Sequence, residues 1–333
     1  MRIVLCYPVE ERHCKRIAAA MPEAEVVAVE QEEVDEALLT ADIFCGHPKV
    51  PVDWERVVQQ GRLRWIQSSA AGMDHCLVPS VIASDITVTS ASAVLSDQVA
   101  EHAIGLLTAW YRSLPVFFKA SQKREYIRRP TLDLHHRTVG ICGFGGVGRR
   151  LAEILRTFKT RILATDMFPI DKPDYVESLW PAGRLEEMMS EVDLLVLSLP
   201  LNEMTRGMFD AKLLSHMKPD ALLANMARGQ LVVEKDLVTA LESGRPAGAV
   251  LDVAEREPLP ADSRLWEMPN VIITPHVAGQ STWRIDNMTR MFCQNIERWK
   301  AGRPLINYLA DKTLGFPIRN GKTPLWTDVL RGT

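Results

Sequence analysis

An apolar run, Thr138-Val139-Gly140-Ile141-Cys142, leads directly into Gly143-Phe144-Gly145-Gly146-Val147-Gly148, and a helical pattern over 146–159 follows at once. Strand, glycine turn and helix in that order constrain the fold more than any other segment, because the motif works only inside a βαβ unit. The first glycine permits a tight turn. The second lets phosphates approach the backbone, and the third lets helix and strand pack closely. The helix start adds N–H donors and the positive end of its dipole. Gly143, Gly145, Gly146, Val147 and Gly148 are therefore expected to line a dinucleotide site.

The rest of the chain repeats the α/β alternation. Short apolar runs rich in β-branched residues lie at 2–9, 25–30, 41–46, 63–68 and 86–90, with helical stretches such as 12–20 and 53–60 between them. A second series follows at 161–165, 193–199, 221–226, 248–253 and 271–274, with helical patterns at 211–218 and 233–243. Alternation of this kind implies parallel sheets. Between the two series, residues 95–122 carry Val99, Ala103, Leu106, Leu107 and Trp110 at helical spacing, which predicts a long helix interrupted near Pro115. Its apolar breadth suits a domain connector or a subunit interface. A last helix is expected over 280–301, where Met288, Met291, Phe292, Ile296 and Trp299 recur at three-to-four spacing.

At 333 residues the chain is too long for one ordinary core, so two domains are expected. A net charge of −3 offers no basic field for nucleic acid or an anionic membrane. No apolar run approaches the roughly 18 residues of a membrane span, and the start is too short in apolar residues for a signal peptide. The six cysteines form no Cys-x-x-Cys pair, and Cys6, Cys45 and Cys142 sit in strand-like runs. They read as buried thiols of a reducing compartment, the cytoplasm. The eight histidines include no His-x-x-x-His pair, so no metal site is expected.

Several polar residues lie just past strand ends. Asp166 closes the strand after the glycine turn, where a carboxylate accepts hydrogen bonds from ribose hydroxyls and repels a 2′-phosphate. Met167 and Phe168 follow it and offer no cation, which favours NAD over NADP. Arg228, in Asn225-Met226-Ala227-Arg228-Gly229, presents a planar guanidinium able to grip a carboxylate with two hydrogen bonds. Asp252, at the end of Leu251-Asp252-Val253, is placed to face a nicotinamide edge. Glu257 follows in a loop with Pro258, and spacing alone does not separate it from Glu255. His276, in Thr274-Pro275-His276-Val277-Ala278-Gly279, can exchange a proton near neutral pH. In a doubly wound sheet, groups beyond the strands' C-terminal ends converge on one crevice.

With these residues the chain resembles the D-isomer-specific 2-hydroxyacid dehydrogenase family, over roughly 40–310. The likeness runs through Val99-Ala100-Glu101-His102, Gly143–Gly148, Leu199-Pro200-Leu201, Met217-Lys218-Pro219, Ala227-Arg228-Gly229, Leu251-Asp252-Val253, Glu257-Pro258-Leu259 and Thr274-Pro275-His276. The resemblance implies an α/β architecture of two domains with parallel sheets, Rossmann-like and flavodoxin-like, and a cleft between them. Residues 1–95 plus 285–333 would form the discontinuous substrate-binding domain, and 96–284 the NAD-binding domain. It implies Arg228 as carboxylate anchor and Glu257 with His276 as the acid–base pair. Ala70, Ala71 and Gly72 would bind the substrate carboxylate, with Ala70 standing where many relatives carry glycine. Leu199, Pro200, Thr205, Ala227, Asp252, His276 and Gly279 would border the cofactor. A homodimer and a small 2-keto or 2-hydroxy acid substrate follow, with reduction of glyoxylate or hydroxypyruvate the leading expectation.

Other readings are weighed against these residues. Formate dehydrogenases share the fold but pair the histidine with glutamine, whereas Glu257 stands here. Phosphite dehydrogenases carry a lysine in the substrate loop, where Ala71 stands. NAD-sensing corepressors keep the same triad, yet no partner-binding signature accompanies it. Trp54, Met73 and Trp283 are bulky enough to line a pocket, and core packing explains each as well.

Overall fold

A computed structural model of the chain describes residues 1–320 and 323–331. It divides into two compact units, Met1–Leu95 with Ser281–Thr333, and Ser96–Gln280.

The first unit is built on strands β1 (Arg2–Cys6), β2 (Glu25–Ala28), β3 (Ile43–Gly46), β4 (Trp65–Ser68) and β5 (Thr87–Thr89). All pair parallel, in the order β2-β1-β3-β4-β5. That order is the flavodoxin-like one. Helices α1 (Glu11–Ala20), α2 (Val34–Leu39), α3 (Trp54–Gln60) and α4 (Pro79–Ala83) connect the strands. Along β1, Ile3 and Leu5 enter one core while Val4 and Cys6 enter the other. A strand buried on both faces reads as a continuous apolar run, which is why it is visible in the sequence. Trp54 and Met73 belong to this packing rather than to a pocket wall.

The second unit begins with α5 (Ser96–Tyr111) and α6 (Leu114–Gln122). The expected single helix is thus two. The break comes at Arg112-Ser113, where Ser113 adopts φ 53°, and Pro115 sits in the first turn of α6. Proline is tolerated there because a first-turn N–H has no helical partner. Strands β6 (Thr138–Cys142), β7 (Arg161–Asp166), β8 (Ser178–Pro181), β9 (Leu194–Leu197), β10 (Leu222–Asn225), β11 (Gly248–Leu251) and β12 (Val271–Ile273) form one parallel sheet, ordered β12-β11-β10-β9-β6-β7-β8. This is the doubly wound order with its reversal between β6 and β9. Helices α7 (Gly146–Leu155), α8 (Leu185–Glu191), α9 (Ala211–Leu214) and α10 (Glu234–Glu242) complete the unit. Ala100, Ala103 and Leu107 of α5 share one core with Leu151, Ala152 and Leu155 of α7. Leu195 and Leu197 of β9 point into the other.

Two elements depart from expectation. Strand β8 is an added seventh strand at the sheet edge. Its Ser-Leu-Trp-Pro sequence offers only two apolar side chains, one to each core, and ends on a proline that an edge tolerates. Helix α9 stops at Leu214 instead of near 218; beyond it His216 and Met217 bond back only three residues, to the Leu213 and Leu214 carbonyls, in turns ahead of Pro219.

The chain then returns to the first unit as α11 (Arg284–Lys300) and α12 (Trp326–Arg331). Met288, Met291, Phe292 and Ile296 seal one face of the β1 sheet. Trp326, near the end of the chain, is buried in that same core, and Asn307 accepts its backbone N–H. Among the described residues, no helix is long and apolar enough to cross a membrane.

Candidate functional site

The glycine turn sits at the reversal of the second sheet. Gly143 has φ +92°, a left-handed conformation, and an added Cβ would come within 2.8 Å of the Ser198 carbonyl oxygen. Ser198 Oγ donates to the Gly143 carbonyl at 2.6 Å, so the turns after β6 and β9 are fastened together. A Cβ on Gly148 would overlap the Gly143 carbonyl oxygen, whereas one on Gly145 would meet no atom within 4 Å. Tight packing at the two outer glycines with open space over the middle one is a cradle that fits a pyrophosphate. Gly146 and Val147 open α7 beneath it.

Asp166 ends β7. Its Oδ2 accepts the Phe144 N–H at 2.6 Å and its Oδ1 the Phe168 N–H at 2.9 Å. The carboxylate therefore shapes the glycine turn as well as the strand end. The expectation that no cation stands near this corner needs correction. Arg149, one residue past the motif, donates to the carbonyls of Ile170 and Asp171, both at 2.7 Å, and lies 4.7 Å from the Phe144 ring. The strand that precedes Met167 and Phe168 gave no sign of it, because the cation comes from α7.

In the Leu199–Thr205 loop, the Thr205 hydroxyl donates to the Pro200 carbonyl at 2.7 Å and accepts the Asn202 N–H. Thr205 thereby closes the loop that starts at the end of β9.

Three further loops leave the C-terminal ends of β10, β11 and β12. Asn225, fully buried at the end of β10, accepts the Ala227 N–H and donates to the Arg228 carbonyl, which folds the turn that presents Arg228. Arg228 Nη1 donates to the Ala227 carbonyl at 2.8 Å. Gly229 lies hard against the Ala254 carbonyl, and a side chain there would overlap it. The β10 and β11 loops are thus in close contact.

After β11, the two carboxylates left open by spacing separate. Glu255 accepts the Glu234 N–H at 2.8 Å and caps α10. Glu257 Oε2 lies 2.8 Å from His276 Nδ1, and its Oε1 accepts the Ala254 N–H. Partial burial works against charge on Glu257. The hydrogen bonds from His276 and Ala254, with the positive field of His276 and Arg228, outweigh it and hold the carboxyl below the usual carboxylate range. The pair is half-exposed, at 45% for His276 and 37% for Glu257.

His276 itself has φ 55°. Its loop is fastened by Asp252, a carboxylate 2% exposed. Asp252 Oδ1 accepts from Thr274 Oγ1 at 2.6 Å and from the Val277 N–H, and Oδ2 accepts the Ala278 N–H. Gly279 follows directly. His102 of α5 approaches Thr274 Oγ1 at 2.9 Å. In the sequence His102 stands only inside Val99-Ala100-Glu101-His102, a histidine beside the apolar positions of α5, with no sign of a partner 172 residues away.

In the first unit, the loop after β4 is pinned by Ser68, whose Oγ accepts the Ala70 N–H at 3.0 Å, while the Ala91 N–H donates to the Ala70 carbonyl. Ala71 is exposed and Gly72 half-buried. Trp283 is exposed.

Residues 104–278 match the family model described as "D-isomer specific 2-hydroxyacid dehydrogenase, NAD binding domain". The chain is 32% identical over 284 residues to a glycerate dehydrogenase of Methylorubrum extorquens, covering 82% of this chain and 87% of that protein. It is 32% identical over 284 residues to a glyoxylate reductase of Pyrococcus furiosus, covering 82% and 84%. A solved NADPH-dependent glyoxylate/hydroxypyruvate reductase of Sinorhizobium meliloti, in complex with NADP and sulfate, superposes with TM-score 0.78 at 27% identity, covering 95% of this chain and 99% of that one.

Proposed function

The chain belongs to the D-isomer-specific 2-hydroxyacid dehydrogenase family and is an NAD(P)-dependent oxidoreductase of 2-keto and 2-hydroxy acids; from that premise we propose that Arg228, Glu257 and His276 carry its chemistry. The observation that bears most weight is the 2.8 Å contact between His276 Nδ1 and Glu257 Oε2. It commits Nδ1 to the carboxylate and leaves Nε2 to exchange a proton with substrate. Glu257, ionised at neutral pH, fixes the ring and faces its Nδ1. In reduction, His276 gives its proton to the keto oxygen; in oxidation, it takes the proton back from the alcohol. Arg228 grips the carboxylate through two parallel hydrogen bonds and offsets charge developing on the oxygen. Ala70, Ala71 and Gly72 form the proposed second carboxylate-binding element, on a loop whose shape Ser68 sets. A bound reduced nicotinamide supplies the hydride.

The cofactor lies, on this reading, along Gly143–Gly148, Asp166, Leu199, Pro200, Thr205, Ala227, Asp252, His276 and Gly279. NAD is the proposed preference, because Asp166 would repel a 2′-phosphate. Glyoxylate or hydroxypyruvate is the proposed substrate, in keeping with the names of the relatives. A homodimer is proposed from the apolar side chains that the second unit leaves exposed, Phe118, Tyr126, Ile127 and Leu132, with Tyr126 at 93%. Six free thiols fit a cytoplasmic setting.

The test is oxidation of NADH, and separately NADPH, against a panel of 2-keto acids that includes glyoxylate and hydroxypyruvate. Strong turnover of one keto acid with NADH is expected. Tight NADH binding without turnover of any of them would overturn the assignment of roles.

A further inference from the structure

We propose that His102 is a positioning residue for the acid–base loop, acting through Thr274 and Asp252. The proposal rests on the function given above, since it matters only if His276 moves the proton.

The hydrogen bonds have a direction. Thr274 Oγ1 donates its single proton to Asp252 Oδ1 at 2.6 Å. Its oxygen therefore accepts from His102 Nε2, 2.9 Å away, which requires the proton of His102 to sit on Nε2. The same nitrogen lies 3.4 Å from Asp252 Oδ1. Imidazole, hydroxyl and carboxylate form one chain running from α5 to the end of β11.

Asp252 passes that anchorage to the loop. Its carbonyl accepts the N–H of His276 at 2.7 Å, Oδ1 accepts that of Val277 at 3.0 Å, and Oδ2 that of Ala278 at 2.9 Å. Three consecutive backbone N–H groups thus end on one residue. The loop needs such a grip, because His276 holds φ 55°, a region that side-chain-bearing residues avoid unless surrounding structure imposes it. Asp252 in turn is a carboxylate buried to 2% exposure, and a buried carboxylate holds its orientation only when its oxygens are met by donors. His102 meets this network from a different element, so the angle of the loop is referred to the helix packed on the sheet, and not to β11 and β12 alone. Loss of that reference would let the His276 ring drift from Glu257. Misplacement of about 1 Å can cost on the order of a hundredfold in rate.

The experiment compares His102→Leu, His102→Gln, Thr274→Val and the His102→Leu/Thr274→Val double variant in the full-length protein. It measures kcat, KM for the keto acid, NADH affinity by fluorescence, and Tm. His102→Leu is expected to lower kcat about 10- to 100-fold, with NADH affinity and Tm near those of the unmodified protein. His102→Gln, whose amide nitrogen can stand where Nε2 stands, is expected to recover most of that loss. Thr274→Val should repeat it, and the double variant should be no worse than Thr274→Val alone. Full kcat in His102→Leu, or a Gln variant no better than Leu, overturns the proposal. His276→Ala, run alongside, separates the two ideas. If it retains turnover, the assigned roles fail; if it is inactive while His102→Leu is fully active, only the positioning role fails.

Discussion

His276 Nδ1 stands 2.8 Å from Glu257 Oε2, although the two residues come from loops on different strands and are 19 positions apart. The contact assigns one ring nitrogen to the protein; the other is the proposed point of proton exchange with substrate. Replacement of His276 by Ala removes the proposed proton donor and no part of the glycine turn. Turnover is expected to fall by about 10²- to 10⁴-fold, while NADH titration still shows binding. Near-normal steady-state turnover would show that the proton comes from elsewhere.

Glu257→Gln probes the same contact. On the proposed reading His276 must present its proton at a fixed angle, and the Glu257 carboxylate holds the ring. The variant should therefore lower kcat for keto-acid reduction about 10- to 100-fold with NADH affinity unchanged, which steady-state kinetics beside an NADH titration resolves. Stability gives a second readout. The Glu257 carboxyl is held below its ordinary range, so its contribution is present above the unfolded-state value and disappears as pH falls through the folded one. A Tm difference between unmodified protein and Glu257→Gln should exist at neutral pH and vanish in acid. Because the pair is half-exposed, the free-energy difference behind it should be less than about 1 kcal/mol.

The glycine turn predicts two opposite outcomes from one kind of substitution. Gly145→Ala adds a methyl where no protein atom lies within 4 Å, so the fold should keep its Tm while NADH affinity falls. Gly148→Ala drives a methyl into the Gly143 carbonyl, so helix α7 and strand β6 must separate and Tm itself should drop. Calorimetry with NADH titration on both variants distinguishes them. Equal NADH affinity in Gly145→Ala and the unmodified protein would remove the phosphate from this turn.

Much of this architecture was legible because parallel strands are buried on both faces. Leu194–Leu197 and Ile43–Gly46 read as apolar runs for that reason. Strand β8 was not legible, since an edge strand needs only Leu179 and Trp180 to be held. The choice between Glu255 and Glu257 was equally out of reach. Both are exposed carboxylates in one loop, and what divides them is that α10 begins beside one and the β12 loop passes beside the other. Arg149 and His102 escaped notice for a related reason. Each acts on a segment distant in sequence, through contacts that local pattern does not encode.

The proposed preference for NAD rests on Asp166. Its oxygens hold the Phe144 and Phe168 N–H groups, so the negative charge is fixed at the end of β7 and does not swing away. A 2′-phosphate placed there would face that charge directly, and like charges opposed across an interface cost several kcal/mol. Arg149 pulls the other way, but its Nη1 and Nη2 donate to the Asp171 and Ile170 carbonyls. Asp166→Asn keeps an oxygen able to accept one of the two N–H groups and removes the charge. The ratio of kcat/KM with NADPH to that with NADH should therefore rise by about tenfold or more in Asp166→Asn. An unchanged ratio, with Tm preserved, would mean that Asp166 serves the shape of the turn and that cofactor choice is made by Arg149 or by the loop it grips.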